Sequence, residues 1–244
     1  MSVLFRRLVL RSAWMSQSRH RARARRMRTL LDLVGPPPGA RVIDLGGTWE
    51  IWDLIENDFQ VTLVNKSPWP SVPNRLRDRF RIVVADACDL REQFADGSFD
   101  LAFSNSAIEH LGGLARREQF ASEVMRLAPA WWVQTPNPRF VVEAHTGLPL
   151  YWQWPGWARA WADAHRRRRT PDWHDEIAST EPVSEAELLD LFPNGLIYRE
   201  RMFGFVKSFV DYHPCMSKRI NNFPGRPESR VDRVGSFTGG RRCT

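Results

Sequence analysis

Short apolar runs bounded by turn residues recur along the first 140 positions of this 244-residue chain. Positions 42–45 (Val-Ile-Asp-Leu) have strand length and lead directly into Gly46 and Gly47, after which Ile51, Trp52, Leu54 and Ile55 fall at helical spacing. Glycine turns the backbone freely and lets a ligand approach it closely. Strand, glycine turn and helix therefore read as the opening of a nucleotide-binding βαβ unit, with the loop at the carboxyl end of the strand. Four further runs follow, at 60–65, 81–86, 99–105 and 131–136, the first three ending in Asn65, Asp86 and Asn105. Apolar runs of strand length that alternate with segments able to hold a helix predict an α/β fold. The expected architecture is a three-layer, doubly wound, mostly parallel sheet whose polar tips share one edge.

The pattern also predicts how the domain closes. A helix over 184–192 opens with Ser184 and Glu187, a capping pair three residues apart, and stops at Pro193-Asn194-Gly195. The runs 196–202 and 205–210 then form an antiparallel hairpin turning at Gly204, which brings the sheet to seven strands. Before the first strand, 27–34 reads as a helix stopped by the Gly35-Pro-Pro-Pro-Gly39 turn. The expected organisation is a basic helical arm (1–34), a domain (35–213) with an insertion at 138–182, and a flexible tail (214–244) rich in Gly, Pro, Ser and Arg. No internal repeat is present.

Charge changes the picture at two places. The formal net charge is +7, but residues 1–32 hold nine arginines against one acid, Asp32, and 166–169 are four consecutive arginines. Such runs suit an anionic partner, a membrane surface or nucleic acid, or simply form a solvated helix face. Arg6, Arg7 and Arg11 interrupt the apolar start, so it lacks the core of a secretory signal, and no run reaches the length of a membrane span. Three widely spaced cysteines (88, 215, 243) argue against a disulfide framework, and six scattered histidines give no metal-ligand spacing. A cytoplasmic protein, possible membrane association included, and no metal site are the expectations.

The runs VIDLGG (42–47), VTLVN (61–65), ADACDL (85–90) and, above all, FDLAFSNSAIEHL (99–111) resemble a class I S-adenosylmethionine-dependent methyltransferase of type 11. The resemblance covers about 41–138 and, more loosely, extends to 212. It implies a Rossmann-like sheet, S-adenosylmethionine as cofactor, and methylation as the activity. It implies that Asp44, Gly46, Gly47 and Thr48 line the methionine end. Asn65, where the family has an acid, would meet the ribose; Asp86 and Ala87 the adenine; Asn105 and Ser106 the sulfonium. A dehydrogenase or epimerase reading fits less well, because no later glycine follows Gly47 in register and Glu50 would repel a pyrophosphate.

The stretch after 135 (T-P-N, then Glu143 and His145) is similar to a run in some members of the family. The insertion at 138–182 holds five of the eleven tryptophans beside the arginine run and reads as a lid over the acceptor. Methyl transfer needs an aligned acceptor and, for a hydroxyl, removal of a proton. His145 is the candidate base, with Glu143 or Glu109 orienting it and His110 in reserve. The expected acceptor is a small molecule, glycan or lipid, nucleic acid ranking lower, with the methyl going to oxygen or nitrogen. The alternative is a non-catalytic protein of this fold that binds an anionic partner through its arginine-rich arm.

Overall fold

The structure is a computed structural model and describes residues 20–67, 72–142, 146–169, 180–216 and 218. The 1–19 part of the arm, most of the tail, and Glu143 and His145 lie outside these residues.

Seven strands form one sheet in the order β3-β2-β1-β4-β5-β7-β6. They are β1 (Arg41–Leu45), β2 (Gln60–Asn65), β3 (Phe80–Val84), β4 (Leu101–Asn105), β5 (Trp131–Pro136), β6 (Leu196–Met202) and β7 (Phe205–His213). β1 to β5 pair in parallel; β7 runs antiparallel to both β5 and β6. The doubly wound, mostly parallel α/β architecture is the one the apolar runs predict. α1 covers 20–33, α2 is Gly113–Leu127, α3 Gly156–Arg169 and α4 Glu185–Leu191. Ser184 caps α4, its side chain accepting from the Glu187 amide, as the spacing of that pair predicts.

The two faces of the sheet bury separate cores, and the two-residue period of each strand sorts side chains between them. Ile43, Leu45, Ala102, Trp131 and Val133 face α2 and α4 together with Phe120, Val124, Leu188 and Phe192. Val42, Val61, Leu63, Leu101, Phe103, Trp132 and Val210 face α1. That helix docks through Met27, Leu30 and Val34, all fully buried at i, i+3 and i+7. Each such side chain contributes about 1.5–3 kcal/mol of burial.

One expectation about a helix is corrected. The segment after the glycine turn is a six-residue 3-10 helix, Trp49–Leu54, rather than an α-helix. Only residues 48–59 separate Gly47 from β2, too few for an α-helix plus two turns. A 3-10 segment rises about 2.0 Å per residue against 1.5 and covers the distance with fewer residues. Asn57 then fixes the exit, its amide donating to the Trp52 and Ile55 carbonyls. Residues 106–111 contain a single 3-10 turn, Ile108–His110.

Candidate active site

The tips of β1, β2 and β4 meet around the glycine turn. The Gly46 amide donates to the Val64 carbonyl at 2.8 Å, which pins the turn to the end of β2. Gly46 has φ +82°, and a Cβ there would lie 2.6 Å from Cβ of Ala107, so the loops after β1 and β4 touch. At Gly47 a Cβ would lie 2.1 Å from both carboxylate oxygens of Asp44. The Gly47 backbone therefore roofs that carboxylate, and no larger residue fits.

Asp44 is fully buried on the α1 side of the sheet. Its Oδ2 accepts the indole N–H of Trp52 at 2.8 Å, while Oδ1 has no hydrogen-bond partner. Burial pushes its pKa up to about 7, against the opposing pull of the Trp52 bond. Trp52 itself is fully buried, edge-on to Phe103 at 4.8 Å. Trp49 is half-buried against the same core.

Asn65 ends β2 and donates from Nδ2 to the Gly47 carbonyl at 3.0 Å, holding the loop from its far side. Thr48 precedes the 3-10 helix without capping it through its side chain. Asp86 lies just past β3, which ends two residues earlier than the sequence run. Arg116 of α2 grips both of its oxygens at 2.5 and 2.6 Å, and Lys66 stands 3.8 Å away. Burial would raise this carboxyl, but the Cys88 amide and Arg116 outweigh it and hold Asp86 below the usual carboxylate range. Ala87 is half-buried against the α2 core.

At the tip of β4, Asn105, Gln134, Glu200 and Ser208 all fall on the α1 face by strand alternation. Arg26 of α1 reaches into them. Its Nη1 donates to Asn105 Oδ1 at 2.5 Å and to Gln134 Oε1 at 3.1 Å, and its Nη2 to Glu200 Oε2 at 2.6 Å. The Ser208 hydroxyl donates to the same Glu200 oxygen. A guanidinium has donors only, so both amides must turn their oxygens toward Arg26. Asn105 consequently presents its NH2 group on the side away from the arginine. Ser106, in the left-handed region at φ +57°, donates from its hydroxyl to Gln134 Oε1 at 2.9 Å. One turn on, Glu109 is buried and accepts from the Thr135 hydroxyl at 3.1 Å, and His110 Nδ1 lies 3.3 Å from the Thr180 hydroxyl.

The structure thus gathers Asp44, Gly46, Gly47, Thr48, Asn65, Asn105 and Ser106 at adjoining strand tips. Asp86 and Ala87 stand one strand further out, and Glu109 and His110 one turn beyond Ser106. Trp52, Arg26, Gln134, Arg116 and Glu200 were not singled out from sequence. A polar residue inside the apolar run of β5 marks Gln134. Arg26 carries no mark among nine arginines.

Residues 50–129 match the family described as a methyltransferase domain, of type 11. That match spans 80 of the 244 residues, from the 3-10 helix after the glycine turn to just past α2, and over that span the chain is similar to a methyltransferase domain. Solved methyltransferase-fold structures resemble it at low identity, which speaks to the fold. The 1,6-didemethyltoxoflavin-N1-methyltransferase of Burkholderia thailandensis, solved with 1,6-didemethyltoxoflavin and S-adenosylhomocysteine, is 14% identical with a TM-score of 0.50, over 83% of this chain and 80% of that one. A cyclopropane-fatty-acyl-phospholipid synthase-like protein of Lactobacillus casei is 10% identical with a TM-score of 0.52, over 79% of this chain and 90% of its own. A protein of Bordetella parapertussis described as a possible exported protein is 12% identical, TM-score 0.52, over 82% and 68%. Among curated proteins none matches the sequence.

Proposed function

We propose that this protein transfers a methyl group from S-adenosylmethionine to an oxygen, or a nitrogen, of a small-molecule, glycan or lipid acceptor. The observation that carries the reading is the buried Asp44 under the Gly47 backbone with one oxygen unpartnered, at the point where three strand tips converge. S-adenosylmethionine, when bound, supplies a methyl group already activated on a positively charged sulfur. Asp44, buried beneath the Gly47 backbone, would act through its field on a cationic amine above the loop, and the backbone of Gly46, Gly47 and Thr48 would line that end. In this reading Asn65 would meet the ribose and Asp86 the adenine, and Asn105 and Ser106 would border the sulfonium. Asn105 is held there by Arg26 and so acts as a donor.

For the acceptor proton, His110 is the base whose placement supports the role. The Thr180 hydroxyl orients its ring, and Glu109 stands beside it in the same turn. His145 and Glu143, the first candidates from sequence, lie outside the described residues, and they stay in the proposal on the strength of the T-P-N run alone.

The test is a calorimetric titration of S-adenosylmethionine into the wild type and Asp44→Asn, repeated in buffers of different ionisation enthalpy. With a pKa of about 7, Asp44 is half protonated near neutrality. A cation docked over it should expel about half a proton at pH 7. Asp44→Asn should bind more weakly and expel none. Absence of binding to the wild type would defeat the proposal. A second arm follows a labelled methyl group into small-molecule, glycan and lipid extracts. His110→Gln should lower turnover about 100-fold while leaving cofactor affinity intact.

A further inference from the structure

Helix α3 is turned inside out. A surface helix of a globular protein normally buries its apolar stripe and shows its charges. Here the inward side carries Ala162, which is buried, Asp163, whose carboxylate accepts the Tyr151 hydroxyl at 2.8 Å, and Arg159, whose guanidinium lies 5.9 Å from the Trp152 ring. The outward side carries Trp157, 77% exposed, and Trp161, 67% exposed, with Ala160 and Ala164 between and beyond them. Trp161 stacks on His165 at 5.7 Å and 13°, extending the aromatic face to a third turn. The single acid of the helix is therefore spent on Tyr151. The exposed face has no charge before Arg167.

We propose that this face of α3 docks on the surface of an anionic lipid bilayer. The order of residues decides the occupant. Indoles set among alanines on successive turns form an insertable apolar face, and tryptophan favours the boundary between hydrocarbon and headgroups. Arg167, exposed at the end of that face, matches the phosphates of that boundary, and an arginine near a negatively charged leaflet adds attraction. A nucleic-acid surface needs cations interleaved with the stacking rings, so that backbone and bases are met together. Here Arg159 turns inward to the Trp152 ring, and the outward face carries both indoles before its first cation, Arg167. The contact is peripheral, since among the described residues no helix is long and apolar enough to cross a membrane. Val141, Val142 and Leu150, exposed in the small bridge that pairs Val142 with Pro149, add apolar surface to the same lobe. The proposal stands whatever the methyl acceptor is, and its readout does not involve turnover.

The experiment is flotation of the full-length protein with phosphatidylcholine vesicles, with and without phosphatidylglycerol. Binding should require the anionic lipid and weaken as salt is raised. Trp157→Ala/Trp161→Ala should lower partitioning by about tenfold or more, because two exposed indoles lose their apolar burial. Ala164→Glu, which sets a carboxylate on the same face, should weaken it as well. Leu196→Ser, an exposed apolar residue on β6, should leave binding unchanged. Circular dichroism of each variant should match the wild type, as all these side chains are exposed. No association with anionic vesicles overturns the proposal. So does association that the double variant leaves intact, which would assign binding to the arginine-rich arm. Transfer of the tryptophan dependence to RNA binding or to self-association, measured by sedimentation, overturns it too.

Discussion

Replacing Trp52 by phenylalanine tests the claim that Asp44 is a buried carboxyl poised near neutrality. The substitution keeps an aromatic ring against Phe103 and Phe59 but removes the N–H that Asp44 Oδ2 accepts at 2.8 Å. Asp44 has a folded pKa of about 7, well above the unfolded value near 4. Between those values the folded state holds a proton that the unfolded chain has lost. Stability therefore falls as pH rises through that window and levels off above it. The indole bond favours the charged form, so its loss lifts the folded pKa further. Below about pH 6 both proteins carry a neutral carboxyl, and the variant loses packing plus a neutral hydrogen bond of about 1 kcal/mol. Above pH 8 the wild type keeps a charge-assisted bond of about 1.5–3 kcal/mol that the variant lacks. The destabilisation should grow by about 1–2 kcal/mol from pH 6 to pH 9, read from urea unfolding followed by circular dichroism. Asp211, also raised to about 7 by burial against the Trp131 bond, is present in both proteins and cancels. A destabilisation that is constant or shrinks with pH would refute the assignment of that charge.

Gly47→Ala should cost about 2 kcal/mol in unfolding free energy, since the new methyl must displace the buried Asp44 carboxylate, and should weaken S-adenosylmethionine binding at least tenfold by calorimetry. Arg26→Ala strands the buried Glu200 and should cost about 3–5 kcal/mol in chemical denaturation, whereas Arg26→Met combined with Glu200→Gln should recover most of it. Burial alone would raise Glu200, but Arg26 and the Ser208 hydroxyl hold it below its ordinary value, so the wild-type advantage over Arg26→Ala should shrink as pH falls below about 4. Phe203, 87% exposed, occupies φ +50° in the two-residue turn Phe203-Gly204, where asparagine is at ease. Phe203→Asn should raise stability by about 1 kcal/mol and the melting temperature by about 2–4 °C in a thermal scan.

What the sequence shows of this molecule follows from which interactions are local. β2, β5 and β6 match their apolar runs residue for residue, because strand periodicity is written in consecutive positions. The Ser184 cap was equally readable, its partner lying three residues away. The 3-10 segment at Trp49–Leu54 was misread as an α-helix, since the spacing of Ile51, Trp52, Leu54 and Ile55 does not encode how little chain remains before β2. Asp44, Asn65 and Asn105 could be named from motifs, but their partners could not. Arg26 meets Asn105 across 79 positions and Glu200 across 174, and nothing near Arg26 sets it apart from the arginines beside it. The inversion of α3 was hidden for a related reason. The tryptophans are plain in the sequence, but which of them point outward depends on Tyr151 claiming Asp163.

The grip of Arg26 on Asn105 has a consequence for any molecule arriving above β4. With no lone pair to offer, the guanidinium denies the amide its alternative rotamer, so a visitor meets hydrogens and never the oxygen. Shape and polarity at that corner are thereby separable. Asn105→Asp would keep the outline and the arginine's hold while converting the exposed donor into an acceptor, and a substrate group that gives hydrogens would then be welcomed where one that takes them was before.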